Sequence, residues 1–424
     1  MKIAIIGSGY VGLCTAVGFA SLGHEVVCID IDKEKVNKIN AGMAPIYEEG
    51  LEELLQKSID KKLIHAVCDT IDVGQLDFIF IAVGTPSKDG HIDLKYIKEA
   101  SETARKLIDT RSNFCTVVVK STVLPEVTKK TIVPILEKSG KKAGKDFGVC
   151  MNPEFLREGR AIQDFFEPDR IVIGEFDKRS GDNLEKLYSN FGSPKIRTNL
   201  KTAEIIKYAS NAFLATKISF INDIGNLCKK LGIDVYDVAE GMGMDKRIGK
   251  HFLQAGIGFG GSCFRKDVEA LISKFAETGL DAKMVSAALA VNAGQPLRIV
   301  SLLREKMDVN GKTLAILGLA FKDGTNDVRD APSIAIISEL LKYGCILNCY
   351  DPKANEDMKK IFPDLKYFDS ARDALRGSDA CLLLTEWDEF KKLNEEDFNI
   401  MRNKLIIEGR RLLGKNNYSE GVCW

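Results

Sequence analysis

A short apolar run from Met1 to Ile6 breaks onto Gly7-Ser8-Gly9-Tyr10-Val11-Gly12, and no other feature so limits what this chain can fold into. Behind the glycines, Leu13 to Ala20 reads as helix, and a second apolar run, Glu25 to Ile29, ends in Asp30. Strand, glycine turn, helix, strand and acid is the order of a dinucleotide-binding βαβ unit, with the acid about twenty residues past the glycines. Gly7, Gly9 and Gly12 make the tight turn and open the backbone around Tyr10 and Val11 to a pyrophosphate, which the helix N-terminus favours. Asp30 would accept hydrogen bonds from ribose hydroxyls, and an acid there repels a 2′-phosphate, so NAD is expected rather than NADP. A signal peptide also sets a cation such as Lys2 before an apolar stretch. Glycines interrupt this stretch, however, and no small-residue cleavage site leads into a secreted domain.

The same grammar continues. Asp77–Val83 is expected to be a strand ending at Gly84-Thr85-Pro86, and Cys115–Lys120 another ending at Ser121-Thr122-Val123. Phe147–Met151 is a third, ending at Asn152-Pro153-Glu154-Phe155. Ligands bind beyond the carboxyl ends of strands in such sheets, so these turns are where a site is expected. From Lys201 to about Leu303 the strand signals vanish. Ala203–Leu231 reads as one helix with a broad apolar face, including Ile206, Phe213, Ile221 and Leu227. Asp281–Met307 reads as a second long helical stretch, kinked at Pro296. So much apolar surface needs covering, by packing between domains and, for the remainder, by a dimer interface.

After Asn310-Gly311-Lys312 the alternation resumes, with strands at Thr313–Gly318, Cys345–Tyr350, Ala380–Leu384 and Leu405–Glu408. The first turn of this region lacks the GxGxxG spacing, so it is expected to hold something other than a second dinucleotide. The expected class is α/β: two Rossmann-like doubly wound parallel-sheet domains, 1–200 and 306–424, joined by a central all-helical segment, 201–305.

With 60 basic and 60 acidic residues the formal charge is zero, so no electrostatic attraction to nucleic acid or to a membrane surface is expected. No apolar stretch has the length of a bilayer-spanning helix. The 11 cysteines are odd in number and unpaired in spacing, which fits free thiols in a reducing cytoplasm. His24, His65, His91 and His251 form no ligand-spaced pair, and no catalytic metal is expected.

One cysteine stands apart. Gly256-Ile257-Gly258-Phe259-Gly260-Gly261-Ser262-Cys263-Phe264-Arg265-Lys266-Asp267 delivers a thiol on a glycine-dense loop to the first turn of an expected helix. A helix N-terminus and a nearby ammonium both favour thiolate over thiol, as a nucleophile requires. A buried cysteine serving only as a small apolar side chain has no need of such a loop. Lys207 and Asn211, four apart on a helix, share a face and can donate to a developing oxyanion, or the lysine simply reaches past apolar surface to water. Glu154 and Asp267 can act as general bases, and equally as helix caps or surface acids. Arg247 and Lys322 are single cations near turns, suited to phosphate or to solvent.

These motifs together resemble the UDP-glucose/GDP-mannose dehydrogenase family over essentially the whole chain. The resemblance rests on the N-terminal glycine turn, Gly84-Thr85-Pro86, Ser121-Thr122-Val123, Asn152-Pro153-Glu154-Phe155-Leu156-Arg157-Glu158-Gly159 and Pro168-Asp169-Arg170. It continues through Lys207 to Ala215, Arg247-Ile248-Gly249, the cysteine loop and Gly318-Leu319-Ala320-Phe321-Lys322. It implies a four-electron oxidation of a nucleotide sugar at the expense of two NAD⁺, with the aldehyde captured by Cys263 and a thioester then hydrolysed. Lys207 and Asn211 would stabilise oxyanions, Glu154 would be a general base, and Thr122 and Asp267 would hold or activate water. Asp30, Lys35, Thr85, Thr122, Glu158 and Arg329 would contact NAD. Glu154, Phe155, Leu156, Lys207, Asn211, Arg247, Phe259, Gly260, Lys322 and Arg410 would contact the UDP-sugar, with Arg247 reaching the site of a neighbouring subunit. Arg265 departs from the proline that many members of that family carry. By the same resemblance, Ser262 and Phe264, flanking the cysteine, would favour UDP-glucose over GDP-mannose or N-acetylated UDP-sugars.

Overall fold

The computed structural model describes residues 1–69, 73–88, 90–109 and 113–424, which form two compact units, Met1–Ser210 and Asn211–Trp424. The strands of the first unit are β1 (Lys2–Ile6), β2 (Glu25–Ile29), β3 (Ile64–Val67), β4 (Phe78–Ile81), β5 (Ser87–Lys88), β6 (His91–Ile92), β7 (Thr116–Val119), β8 (Gly148–Met151), β9 (Ile171–Glu175) and β10 (Lys195–Asn199). Apart from the β5–β6 hairpin they make one sheet, ordered β10-β9-β8-β7-β4-β1-β2-β3. From β3 through β8 every pairing is parallel, while β9 runs antiparallel to β8 and carries β10 beside it. Both faces are covered, which is why the central strands are continuous apolar runs rather than alternating ones. Ile3 and Ile5 face one core with Leu13, Phe19 and Phe80, whereas Ala4 and Ile6 face the other with Ile79, Ile81 and Val117.

The helix Leu200–Leu231 runs across the boundary between the units. In the second unit the helices Val235–Gly243, Phe264–Glu277, Lys283–Gly294 and Pro296–Lys306 precede a second sheet. The expected stretch around Pro296 is thus two helices meeting at Gln295, because proline has no N–H for the preceding turn. The strands β11 (Thr313–Leu317), β12 (Ile346–Tyr350), β13 (Lys366–Tyr367), β14 (Ala380–Leu383), β15 (Ile406–Glu408) and β16 (Ser419–Gly421) form a parallel sheet ordered β13-β12-β11-β14-β15-β16. Two α/β sheets with helices between them in sequence is the expected class. No described helix is long and apolar enough to cross a membrane.

Candidate active site

The glycine turn lies between β1 and the helix Tyr10–Ser21. Gly7 has φ +96°, and a Cβ on Gly12 would stand 1.9 Å from the Gly7 carbonyl oxygen, so only glycine lets turn and helix close on each other. Around Gly9 the opposite holds: a Cβ there meets nothing within 4 Å, and no side chain caps the first helical turn. Asp30, just past β2, accepts from the Ser8 N–H at 2.7 Å and from the Asp32 N–H at 3.0 Å. An open N-terminal turn with a fixed carboxylate beside it fits a pyrophosphate and a ribose, so the residues present suit NAD. Lys35 lies in the next helix within 4.0 Å of Asp32, while Thr85 is buried in the turn after β4.

At the ends of β7 and β8 the first unit gathers a buried polar cluster. Lys207 Nζ is 2.9 Å from Glu154 Oε1, both side chains being almost fully buried, and Glu154 Oε2 accepts the Leu156 N–H at 2.6 Å. Lys207 also stands 5.4 Å from the centre of the Phe155 ring, whose face carries the Arg170 guanidinium at 3.8 Å. Lys120, unremarked in the sequence, is buried here and donates to Asn152 Oδ1 at 2.9 Å, which also accepts the Tyr188 hydroxyl at 2.8 Å. Burial pushes the Lys120 ammonium down to about 8, with the Glu154 carboxylate opposing the shift and the Lys207 ammonium adding to it. A small, partly open cleft is lined by Lys120, Asn152, Glu154, Phe155, Leu156 and Arg170 among others. Thr122 is half-buried two residues on from Lys120, and Glu158 half-buried beyond Leu156.

In the second unit Cys263 occupies the N-cap position of the helix Phe264–Glu277 and is exposed, with Ser262 Oγ 3.6 Å from its sulfur. One turn on, Asp267 is buried and paired with Lys266, and its Oδ2 accepts from Asn211 Nδ2 at 2.7 Å. The glycine loop before the thiol is braced throughout. Asn222 accepts the Gly256 N–H at 2.8 Å and Gln295 donates to the Gly256 carbonyl at 2.8 Å. Asn292 binds both the N–H and the carbonyl of Phe259, at 2.8 and 3.0 Å. Arg410 donates to the Gly258 carbonyl, and the Gly261 N–H donates to the Arg329 carbonyl at 2.9 Å. A Cβ on Gly260 would stand 2.3 Å from the Asp330 carbonyl oxygen, which explains the glycine there.

The structure therefore sorts the expected residues. Glu154, Phe155, Leu156 and Lys207 meet in one unit, and Asn211, Phe259, Gly260, Cys263, Asp267 and Arg410 lie on or against the cysteine loop or its helix in the other. Arg329 pairs with Asp327 and Lys322 is half-buried beside the Phe321 ring. Arg247 stands out in solvent and pairs locally with Asp245. Two buried residues carried no spacing signal: Lys120, hidden as the last residue of an apolar strand run, and Glu48, in a connection between helices.

The second sheet repeats the device of the first with a different outcome. Gly318 follows β11 with φ +98°, and Asp351 follows β12, as Gly7 and Asp30 follow β1 and β2. Asp351, however, accepts from the N–H groups of Leu319, Ala320, Lys353 and Ala354 and from Trp387 Nε1. Those donors occupy both oxygens of a carboxylate that is 2% exposed, so no capacity is left for a ribose.

One NAD-shaped turn, one Rossmann-like sheet whose acid is spoken for, and an exposed thiol at a helix N-terminus define an NAD-dependent dehydrogenase with a separate nucleotide-binding domain. The chain belongs to the UDP-glucose/GDP-mannose dehydrogenase family: residues 1–192 match its NAD binding domain, 201–294 its central domain and 315–415 its UDP binding domain. It is 45% identical over 420 residues to the UDP-glucose 6-dehydrogenase AglM of Haloferax volcanii, covering 97% of each chain. It is 44% identical to TuaD of Bacillus subtilis, also a UDP-glucose 6-dehydrogenase, covering 97% of this chain and 89% of that one. Among solved structures, a UDP-glucose dehydrogenase from Pyrobaculum islandicum superposes with a TM-score of 0.92 at 38% identity, over 100% of this chain and 98% of that one. A UDP-D-ManNAc dehydrogenase from Pyrococcus horikoshii gives 0.88 at 29%, over 100% and 99%.

Proposed function

We propose that this protein oxidises UDP-glucose at C6 to UDP-glucuronate through a covalent adduct on Cys263. The observation that carries the reading is the exposed Cys263 sulfur at a helix N-cap, on a loop whose backbone is fixed from several sides. NAD⁺, when bound, supplies a two-electron acceptor, and two are consumed per sugar. Cys263 Sγ forms a C–S bond to the C6 aldehyde, and the carbonyl oxygen takes up a proton as the thiohemiacetal forms. Loss of a second hydride, with the hydroxyl proton passing to a base, makes this adduct a thioester; water then adds to its carbonyl carbon, the C–S bond breaks, the sulfur regains a proton and the acid is released. Lys207 and Asn211 donate to the oxygen that bears negative charge at each addition. Glu154 is the general base, and Thr122 and Asp267 hold or activate the water.

NAD is held by Gly7, Gly9, Tyr10, Val11, Gly12, Asp30, Lys35, Thr85, Thr122, Glu158 and Arg329, and the UDP-sugar by Glu154, Phe155, Leu156, Lys207, Asn211, Arg247, Phe259, Gly260, Lys322 and Arg410. The work divides among 1–200 for NAD, 201–305 for dimerisation and part of the active site, and 306–424 for the UDP-sugar. Phe213, Phe220 and Leu227, seven residues apart on one helix, are 64%, 48% and 56% exposed, which supports a homodimer built on this stripe. Arg247, exposed and paired with Asp245 in its own turn, suits a reach into the partner's site. Eleven free cysteines support a cytoplasmic protein.

The test is NADH formed per sugar consumed, with limiting UDP-glucose and excess NAD⁺, run beside GDP-mannose and UDP-N-acetyl sugars. Two NADH per UDP-glucose is expected. One would mean release at the aldehyde and a structural Cys263, and two with another sugar alone would keep the chemistry and move the specificity.

A further inference from the structure

We propose that Glu48 is a positioning residue that ties the cofactor turn to the substrate loop, so that NAD(H) and the UDP-sugar bind cooperatively. Glu48 lies in the connection between the helices Lys33–Asn40 and Leu51–Asp60, away from every strand end, yet it is 5% exposed. Its two oxygens serve two structures at once. Oε2 accepts from the hydroxyl of Tyr10, the first residue of the helix behind the glycine turn. Oε2 also accepts the Gly159 N–H at 2.7 Å, and Oε1 the Ala161 N–H at 2.7 Å. The Gly159 N–H points in addition at the Tyr10 hydroxyl oxygen, 2.9 Å away, closing a three-way contact.

Gly159 ends the segment that carries Glu154, Phe155, Leu156 and Glu158, and Asp164 clamps the same segment from its other side through the Arg157 N–H and guanidinium. Burial, and then the Glu48 carboxylate, raises the Tyr10 hydroxyl far above its ordinary range, so it remains a donor at every working pH. A movement of the Glu154–Gly159 segment must therefore break bonds to Glu48 or drag Tyr10 with it. A ligand that fixes either side lowers the cost of fixing the other, and by linkage the effect is reciprocal.

This inference rests on the proposed function for its two ligands. The experiment measures NADH affinity by fluorescence with and without saturating UDP-glucose, in the wild type, Glu48→Gln and Tyr10→Phe, with thermal unfolding of each in parallel. Glu48→Gln keeps the shape but sets an amide group against a backbone N–H, while Tyr10→Phe removes one arm only. The expected result is NADH bound about five-fold or more tightly in the presence of UDP-glucose by the wild type, with that ratio falling toward one in both variants. An unchanged ratio in the variants overturns the proposal even where the melting temperature falls, because a purely structural role moves stability alone. No coupling in the wild type also overturns it. If Glu48→Gln does not fold, Tyr10→Phe decides. A wild type that binds neither NADH nor UDP-glucose overturns the proposed function itself, and this proposal with it.

Discussion

Lys207 and Glu154 face each other almost dry, and that sets what can be removed without cost. Taking away one member of a buried ion pair leaves the other uncompensated, so Lys207→Met is expected to lose roughly 3 kcal/mol of stability, read by urea unfolding, together with most of kcat. Cys263 is different because its side chain is exposed rather than buried in an ion pair. Cys263→Ser is expected to melt with the wild type and bind NADH as before, yet stop before the second oxidation; normal turnover to the acid in that variant would sink the covalent route. Lys120 supplies a pH signature. Between about 8 and its ordinary 10.5 it is neutral in the fold but still protonated in the unfolded chain, so over that window stability rises with pH. Wild type measured against Lys120→Met is expected to gain on the order of 1–2 kcal/mol between pH 7.5 and 9.5, and no relative gain would mean that the ammonium is not desolvated as described.

Among the elements, the cysteine loop is held by hydrogen bonds to its backbone, most of them from side chains of neighbouring segments. Gly260→Ala drives a Cβ to 2.3 Å from a carbonyl oxygen, so the loop must shift; UDP-sugar turnover is expected to fall at least ten-fold while NADH binding persists. Loss of both together would point instead to global misfolding. This loop was legible in the sequence because glycine has no other reason to be so dense, and β1, β4, β7 and β8 were legible because buried parallel strands are uninterrupted apolar runs. Less was written for the edges. Lys195–Asn199 has one apolar residue in five, since β10 closes the sheet with solvent near it, and β3 alternates where the central strands do not. Glu48 and Lys120 gave no sign because a lone charge in a chain reads as surface until its partners, 111 residues away for Glu48 and Gly159, are brought to it.

For the whole molecule, the stripe of Phe213, Phe220 and Leu227 predicts an assembly that one charge can undo: Phe220→Glu is expected to sediment as a monomer where the wild type is a dimer. A wild type that is itself monomeric would return the stripe to solvent and leave Arg247 without a second site to serve. The distribution of thiols has a further consequence. Nine of the eleven are buried, and burial pushes Cys28 and Cys349 up to about 12, so they hold almost no thiolate at neutral pH. Among the thiols, hydrogen peroxide therefore meets exposed side chains at Cys68 and Cys263. On the covalent route proposed above, oxidation of Cys263 is expected to stop turnover while the buried thiols are spared. Where that sulfur has gone no further than the sulfenic acid, a small thiol is expected to restore it, one equivalent forming a mixed disulfide with loss of water and a second releasing the Cys263 thiol.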